Sequence, residues 1–242
     1  MTETTSNVVE LSNAQFVWPG SENATINIPQ LHIAQGKHVF IKGPSGCGKS
    51  TLLALLTGIN TLTSGSLSVL DTDIASLRAS QRDKFRADHI GYIFQQFNLL
   101  PYLNVIENVL IPCQFSKIRR DRVTPNASTT SLEEQATTLL ERLRLPKALH
   151  DKPVSELSIG QQQRVAAARA LIGQPELVIA DEPTSALDHD NRKAFIELLM
   201  EQANLANATL VFVSHDPTLE SLFDRTLNLP EINQAQTLGA AS

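Results

Sequence analysis

The chain has 242 residues, of which 42% are hydrophobic, enough to bury the core of one large domain or two small ones. Its formal net charge of −5 argues against broad electrostatic binding to nucleic acid or anionic lipid. Two cysteines, Cys47 and Cys113, favour a reducing compartment over a disulfide framework. We expect neither a signal peptide nor a membrane span, because no stretch approaches the roughly 18 apolar residues that a span requires.

The first predicted elements are two strands. Apolar residues alternate over residues 9–18 and 26–33, and Pro19-Gly20 forms a turn between them. This pattern predicts an antiparallel β layer ahead of the core. Trp18 ends the first strand, and two interpretations stay open: an aromatic at the edge of the core, or a residue that stacks on a nucleotide base.

A phosphate-binding loop is predicted between Phe40-Ile41 and a leucine-rich helix. Gly43, Gly48, Lys49 and Ser50 fit the P-loop pattern, in which glycines let backbone N–H groups converge on phosphate at a helix N-terminus. Lys49 can reach the β- and γ-phosphates, and the Ser50 hydroxyl can hold Mg²⁺. The whole loop comprises Gly43, Pro44, Ser45, Gly46, Cys47, Gly48, Lys49, Ser50 and Thr51, and Cys47 has no separate role in it.

The middle of the chain alternates predicted strands and helices. A strand is expected at 66–70, a polar helix at 76–88 and a buried strand at 90–94. Gln95 follows that strand, and an uncharged amide at a strand's carboxyl end suits the ligand crevice of an α/β sheet.

The least structured stretch is expected at residues 113–131. It contains a basic cluster, for which a solvated loop or helix end is favoured over a binding patch. The cluster consists of Lys117, Arg119, Arg120 and Arg122. A helix follows at 132–143 and ends at Pro146.

The second block of candidate site residues lies between residues 154 and 187. Ser158 and Gly160 begin a helix that includes Gln161, and they form either an anion site or an ordinary N-cap. The buried strand 177–180 then delivers Asp181 and Glu182. Beside a P-loop, Asp181 would hold Mg²⁺ and Glu182 would polarise an attacking water, although an acidic turn is the simpler alternative.

The last predicted elements place a histidine beside the same crevice. A helix at 190–206 precedes the strand 210–213, which ends at His215, so a third strand end carries a candidate ligand. A short strand is expected at 227–229 and a loose polar tail at 231–242.

These motifs together resemble the ATP-binding cassette (ABC) ATPase family, over residues 8–229. Beyond the P-loop, the resemblance rests on Gln95, LSIGQQQR at 157–164, LVIADEP at 177–183, SALD at 185–188 and SHD at 214–216. Ile159 departs from the family, which usually has glycine at that position. A P-loop kinase or GTPase is disfavoured by the LSIGQ block.

The resemblance implies an α/β fold: a P-loop NTPase core with a mainly parallel sheet, an N-terminal antiparallel layer and an inserted helical subdomain. It places a single ABC ATPase domain at residues 1–230, the helical subdomain at about 97–172 and the tail at 231–242. ATP and Mg²⁺ are the implied cofactors.

The resemblance also implies roles for individual residues. Trp18 would stack on adenine, Gln95 would sense Mg²⁺ and the attacking water, and Glu182 would be the general base. His215 would contact the γ-phosphate, and Asp188 would end the loop that links two sites. The implied catalytic set is Lys49, Gln95, Glu182 and His215; the metal set is Ser50, Gln95 and Asp181; and the signature set is Ser158, Gly160 and Gln161.

The family acts as a head-to-tail pair, so the resemblance implies a second copy or a related ATPase, and an integral membrane permease as partner. Residues 92–112 are similar to the lipoprotein-releasing and macrolide-exporter branch, which implies export or release of a lipoprotein, drug or peptide. The chain would lie peripherally on the cytoplasmic face of the inner membrane, with its permease groove near residues 96–101 and the helical region up to residue 172. Phe97, Leu99 and Leu100 serve either that groove or local packing.

Two alternatives remain open at this stage: a soluble non-transport ABC ATPase and the ATPase of an importer. No nucleic-acid partner is expected, because the chain is acidic and carries one cassette without a coiled-coil insertion.

Overall fold

The computed structural model describes residues 6–124, 131–185 and 189–235. Within these ranges the strands are β1 Asn7–Val17, β2 Ala24–Ala34, β3 Val39–Lys42, β4 Ser64–Val69, β5 Thr72–Asp73, β6 Ile90–Ile93, β7 Leu177–Asp181, β8 Thr209–Val213 and β9 Arg225–Asn228. The α-helices are α1 Lys49–Leu56, α2 Ala79–His89, α3 Val105–Phe115, α4 Lys117–Val123, α5 Leu132–Arg142, α6 Ile159–Leu171, α7 His189–Leu205 and α8 Leu229–Ile232.

The chain divides into two compact units. The first unit contains the residues up to Arg86 and those from Val211 onward, and the second contains Ala87–Leu210. The division falls inside α2 and β8, so both elements contribute to each unit.

The first unit contains the predicted antiparallel layer, which is confirmed. Its four strands have the order β2-β1-β4-β5. Leu11 of β1 lies opposite Leu31 of β2 and Leu67 of β4, and all three side chains are buried. Because successive side chains of a strand point to opposite faces, this register collects the apolar residues on one face.

The first unit also contains a group of parallel strands around β3. Strand β3 pairs with the end of β8 on one side and with β9 on the other, so that Ile41 lies opposite both Val213 and Leu227. Phe40 of β3 and Phe212 of β8 stack with ring centroids 6.1 Å apart. Strands β3 and β8 are short and almost wholly buried, as parallel strands commonly are, whereas β9 is partly exposed. They fix the point from which the P-loop leaves the sheet.

The second unit combines a parallel strand pair with helices. Strand β6 pairs with β7, with Tyr92 opposite Ile179. The buried face of α6 is rich in alanine, which lets neighbouring backbones approach closely. A Cβ on Gly91 of β6 would lie only 2.2 Å from the Ala170 carbonyl oxygen of α6. Strand β6 and the end of α6 are therefore held in direct backbone contact.

Residues 113–123 are helical except for Ser116, which lies between α3 and α4, and this corrects the prediction of a little-structured stretch at 113–131. Ser116 caps α4 by accepting a hydrogen bond from the Arg119 backbone N–H at 3.0 Å. Arg119 itself is 2% exposed, its guanidinium donates to the Ala170 carbonyl at 3.4 Å, and burial lowers its pKa to about 10. The basic residues therefore do not share one solvated face. Residues 125–130 of the predicted stretch lie outside the described residues.

The end of the chain also differs from the prediction. The expected strand at 227–229 is β9, which ends at Asn228, and α8 then occupies the start of the expected tail. Pro230 lies in the first turn of α8, where its fixed φ suits a helix start. Residues 233–235 are bonded to the first unit, as described below, and 236–242 lie outside the described residues.

The described part of the chain has no helix that is both long enough and apolar enough to span a bilayer.

Candidate functional site

The loop between β3 and α1 presents backbone N–H groups at the start of a helix. Gly48 is the N-cap of α1 with φ of 103°, a left-handed conformation that favours glycine. Neither a side-chain cap nor an acidic residue is present in the first turn of this described helix. Pro44, Ser45 and Gly46 are exposed. The first N–H groups of α1 are therefore directed toward an exposed loop, an arrangement that favours anions.

Lys49 folds back over this loop. Its ammonium donates to the carbonyl oxygens of Gly43 at 2.7 Å and of Pro44 at 3.0 Å. The predicted phosphate-binding cation thus lies at the mouth of the loop. Ser50 is exposed beside it, while Thr51 is buried and faces the core.

Trp18 and His215 belong to the same unit as the P-loop. Trp18 follows the last residue of β1 and is 45% exposed, with its ring nearly perpendicular to that of Phe16 at a centroid distance of 4.9 Å. Because Trp18 packs on Phe16 and is also partly exposed, both interpretations of Trp18 remain open. His215 is exposed just after β8, in a segment where the Ser214 hydroxyl accepts from the Asp216 N–H at 3.1 Å.

Gln95 belongs to the second unit and is exposed two residues after the end of β6. Phe97 and Asn98 follow with φ of 60° and 48°, two consecutive left-handed residues that are unusual outside glycine. Asn108, fully buried, fixes the next residues: its Oδ1 accepts from the Leu100 N–H at 2.8 Å and its Nδ2 donates to the Leu103 carbonyl at 3.2 Å.

Sequence reasoning missed Arg169, which holds the turn after Gln95. Its guanidinium donates to the carbonyls of Asn98, at 2.6 Å, and of Phe97. Burial lowers the pKa of Arg169, whose side chain is 9% exposed. The signal was present: Arg169 follows the buried Val165 by four residues, which places a cation on the buried face of α6.

Asp181 and Glu182 lie at the carboxyl end of β7, as predicted, and both are half-buried. The Tyr92 hydroxyl donates to Asp181 Oδ2 at 3.4 Å. Burial, with the charge of Asp181, raises the pKa of Tyr92 above its ordinary value, so the hydroxyl stays protonated as a donor. Glu182 has φ of 45°, and backbone strain of this kind is commonly found at functional sites.

The start of α6 is a complete capping box. Ser158 Oγ accepts from the Gln161 N–H at 3.4 Å, and Gln161 Oε1 accepts from the Ser158 N–H at 2.9 Å. The N-cap interpretation of Ser158 therefore describes its contacts within this chain. Ile159 is 54% exposed, and a cavity beside it is lined by Ser158, Gly160, Gln161 and two arginines, Arg144 and Arg164.

Gln163 connects α6 to the segment after β7 and was also missed from sequence. It is 1% exposed, and its Nε2 donates to the Pro183 carbonyl at 2.9 Å. Because Pro183 follows Glu182 directly, this hydrogen bond links α6 to the residue that comes just after Glu182.

The predicted site residues therefore fall into two groups. The first unit holds Trp18, the P-loop and His215, and the second holds Gln95, the signature residues, Asp181 and Glu182. Asp188 lies outside the described residues.

The predicted metal ligands offer oxygen donors: a hydroxyl on Ser50, an amide on Gln95 and a carboxylate on Asp181. In the described ranges no three His, Cys, Asp or Glu side chains are grouped to hold a metal ion. Mg²⁺ usually takes one or two protein ligands and completes its shell with water and substrate phosphate. The donor set fits Mg²⁺ bound together with a nucleotide.

Comparisons with known proteins found a matching family model and similar relatives. A family model described as "ABC transporter" matches residues 26–185. The chain is 42% identical over 201 residues to the lipoprotein-releasing system ATP-binding protein LolD of Hydrogenovibrio crunogenus, with 83% of each chain covered. It is 36% identical over 198 residues to the bacitracin export ATP-binding protein BceA of Halalkalibacterium halodurans, covering 81% of this chain and 74% of that protein.

A solved structure is similar over almost the whole chain. It is the dimer of the ATP-binding cassette MJ0796 in a post-hydrolysis state, bound to ADP and Pi. The TM-score is 0.78 at 31% identity, with 96% of this chain and 99% of that chain covered.

Proposed function

This chain belongs to the ABC transporter family, and we propose that it is the ATP-binding and ATP-hydrolysing subunit of a membrane transport complex. The observation that carries the proposal is the loop between β3 and α1. There an uncapped helix start, a left-handed Gly48 and the Lys49 ammonium lie together at an exposed surface. Convergent N–H groups with one cation are what a polyphosphate requires.

Different residues of the proposed site bind different parts of the Mg·ATP complex. The backbone N–H groups of residues 45–50 and the ammonium of Lys49 bind phosphate oxygens. The indole face of Trp18 stacks on adenine. Ser50, Asp181 and Gln95 would hold Mg²⁺, which would neutralise part of the charge of the phosphates.

Hydrolysis requires a water held in line with the phosphate. Glu182 accepts the proton of that water as the general base, and its position after a buried strand supports this role. Gln95 orients the water and His215 contacts the γ-phosphate. The strain at Glu182 and the Gln163 hydrogen bond next to it support a carboxylate held in one orientation.

The complete site needs a second cassette. Ser158, Gly160 and Gln161 bind the γ-phosphate of ATP that is held by the P-loop of the other subunit. The exposed start of α6 and its arginine-lined cavity support this role, and the similar cassette MJ0796 forms a dimer. The partner is a second copy or a related ATPase.

The cargo class follows from the relatives. LolD is named for lipoprotein release and BceA for bacitracin export, so we place this chain in a complex that releases or exports a lipoprotein, peptide or drug. The chain lies peripherally on the cytoplasmic face of the membrane, against an integral membrane permease.

The permease contacts the helical region, for which we keep the boundaries 97–172 within a domain of residues 1–230. Phe97 is buried, so it serves packing, whereas Leu99 and Leu100 are half-buried and Tyr102 is 77% exposed. An exposed aromatic after the turn held by Arg169 supports a docking surface near residues 99–102.

A first experiment tests the chemistry. Glu182→Gln should bind ATP with unchanged affinity but lose about 10²- to 10⁴-fold in turnover, since a general base contributes that much. Turnover of purified protein and equilibrium binding of ATP are the measurements. Glu156→Gln, an exposed acidic residue of the second unit, is the matched control. Near-normal turnover in Glu182→Gln would contradict the assignment of the base.

A second experiment tests the partner. Tagged Glu182→Gln protein is used to capture proteins from detergent-solubilised membranes with Mg·ATP. Co-purification of a permease with few spans and a large outer domain supports release or export. A permease with many spans and a separate binding protein supports import, and capture of no membrane protein by an intact ATPase contradicts the transport role.

A further inference from the structure

We propose that Asn233 is a positioning residue for the P-loop, through which the C-terminal segment 229–233 sets the affinity for ATP. The proposal rests on ATP binding at the P-loop, as argued above. Asn233 lies just beyond α8, in a stretch that sequence alone predicted to be a loose tail.

Asn233 uses every hydrogen-bonding position of its amide. Its Nδ2 donates to the Thr25 carbonyl at 2.9 Å and to the Cys47 carbonyl, inside the P-loop, at 3.3 Å. Its Oδ1 accepts from the Asn27 N–H at 2.7 Å and from the Ala235 N–H at 3.2 Å. A primary amide offers two donors and two acceptor lone pairs, and all four are engaged here.

The same segment contacts both glycines that bracket the loop. A Cβ on Gly43 would lie 3.0 Å from Pro230 Cδ, and a Cβ on Gly48 would lie 3.5 Å from Asn233 Nδ2. The segment 229–233 therefore packs against the P-loop from the side of β2 and α8.

The hydrogen bond to Cys47 bears on a phosphate donor. The peptide that joins Cys47 to Gly48 is planar and trans, because the structure has no cis peptide bond among the described residues. In such a peptide the carbonyl and the next N–H point to opposite sides. Because Asn233 binds the Cys47 carbonyl, the Gly48 N–H points away from Asn233. A donor fixed before binding loses less freedom when the ligand arrives.

The chemistry of the site distinguishes Asn from its close relatives. Alanine removes all four hydrogen bonds of the amide, including those to the carbonyls of Thr25 and Cys47. Aspartate keeps the acceptor but replaces the donor by a carboxylate oxygen that faces those same carbonyl oxygens. Asn233→Asp should therefore perturb the loop more than Asn233→Ala, which a simple loss of packing would not predict.

The test measures ATP affinity and kinetics in the full chain. Equilibrium binding of ATP, KM, kcat and Tm are compared for Asn233→Ala, Asn233→Asp and the control Gln234→Ala. Gln234 is exposed and its contact to the Asn27 carbonyl, at 2.7 Å, comes from its main-chain N–H, so the control keeps that bond. Lys49→Ala serves as the reference for lost phosphate binding.

The expected result is a rise in the Kd and KM for ATP of about tenfold in Asn233→Ala, which corresponds to about 1.4 kcal/mol. The rise should be larger in Asn233→Asp and absent in Gln234→Ala, with kcat changed much less than KM. A lower Tm with unchanged Kd and KM would overturn the proposal and leave Asn233 a purely structural residue.

Two further outcomes keep the proposal separate from the proposed function. If the wild-type chain fails to bind ATP, or if Lys49→Ala binds as well as wild type, the proposed function itself is overturned. If the alanine and aspartate variants do not fold, Asn233→Gln provides the measurement, because it keeps the amide one methylene farther out. Wild-type affinity in that folded variant would overturn the positioning role, and weaker binding would support it.

Discussion

At the scale of single residues, Ile159 is the position where this chain departs from its family. The side chain is 54% exposed at the first residue of α6, so the fold of this chain accommodates isoleucine without a clash. Any effect of the branched side chain must therefore fall on whatever binds at the start of α6. In the proposed site that ligand is the nucleotide of the partner subunit.

Substitutions at Ile159 test whether phosphate binds at the start of α6. Ile159→Asp should lower kcat/KM at least tenfold, because it adds an anion where the γ-phosphate of the partner's ATP would bind. Tm should stay level or rise slightly, since an acidic residue in the first helical turn is worth about 0.3–1 kcal/mol. Ile159→Asn is the neutral control of similar shape, and Ile159→Gly should lower KM. Equal activity of the aspartate and asparagine variants would contradict phosphate binding at this helix start.

At the scale of elements, the turn after Gln95 depends on α6. Arg169 is buried and donates to the carbonyls of Phe97 and Asn98, both of which have positive φ. The guanidinium donates to the two acceptors from two different nitrogens of a rigid planar group, a geometry that the single nitrogen of an ammonium does not reproduce. The segment that carries Gln95 is therefore positioned by a helix that lies some 70 residues later in the chain.

Replacing this arginine should separate nucleotide binding from turnover. Arg169→Ala leaves two carbonyls unsatisfied, a cost of about 1–3 kcal/mol, and each 1 kcal/mol lowers Tm by about 2–4 °C for a chain of this size. Turnover should fall strongly while the Kd for ATP stays near wild type, because the P-loop is untouched. Arg169→Lys should retain part of the stability but not the turnover. Calorimetry and single-turnover kinetics measure the two effects. Arg120→Ala is the control, because Arg120 is an exposed arginine that also donates to two carbonyls, those of Cys113 and Gln114.

Glu176, directly before β7, hydrogen-bonds to residues of two helices, α2 and α4. Glu176 is hydrogen-bonded to His89, at the end of α2, and to Arg122 of α4. Burial alone would raise the pKa of Glu176, but these hydrogen bonds outweigh it and lower the pKa to about 2. The ionised carboxylate is thus stabilised in the folded state relative to the unfolded chain.

A carboxyl whose pKa falls on folding adds stability above its unfolded pKa and loses it as the pH falls toward the folded value. Stability from Glu176 should therefore be complete above pH 4.5 and disappear as the pH falls toward 2. Glu176→Gln should lower Tm at neutral pH by about 2–4 °C, equivalent to about 1 kcal/mol for a partly exposed group. Thermal scans across pH should show a flatter acid limb in that variant. An acid limb identical to wild type would contradict the depressed pKa.

Local patterns made some of these elements predictable and others not. The P-loop and the alternating strands β1 and β2 follow from residues adjacent in sequence, so both were predicted. Helix α4 has seven residues, too few for a clear period, and the burial of Arg119 depends on Gly173, which lies far along the chain. Asn233 bonds to Asn27 across 206 positions, and no local pattern reports such a contact. The sequence itself indicated an N-cap at Ser158. The backbone strain at Glu182 could be recognised only from the φ angle in the structure.

At the scale of the whole molecule, the proposed site cannot be completed by one chain. In the proposed site, the P-loop of one subunit and the exposed start of α6 of the other would bind the same nucleotide. In a pair with two-fold symmetry the same two surfaces meet twice, so each dimer contains two composite sites. A variant defective in the P-loop and one defective at the start of α6 therefore damage different halves of each site.

Mixing two such variants tests this symmetry. Lys49→Ala homodimers lack a working P-loop at both sites, and Ile159→Asp homodimers lack a working helix start at both, so each alone should be nearly inactive. In the mixed dimer, one site combines both defects, while the other combines the intact P-loop of the Ile159→Asp chain with the intact helix start of the Lys49→Ala chain. Random exchange at equal amounts should therefore restore about a quarter of wild-type turnover, since half of the dimers carry one intact site. Adding Lys49→Ala chains to a chain that carries both substitutions is the matched control. It should restore nothing, because every site that forms contains a defective P-loop, and restoration there or its absence in the first mixture would contradict a head-to-tail pair.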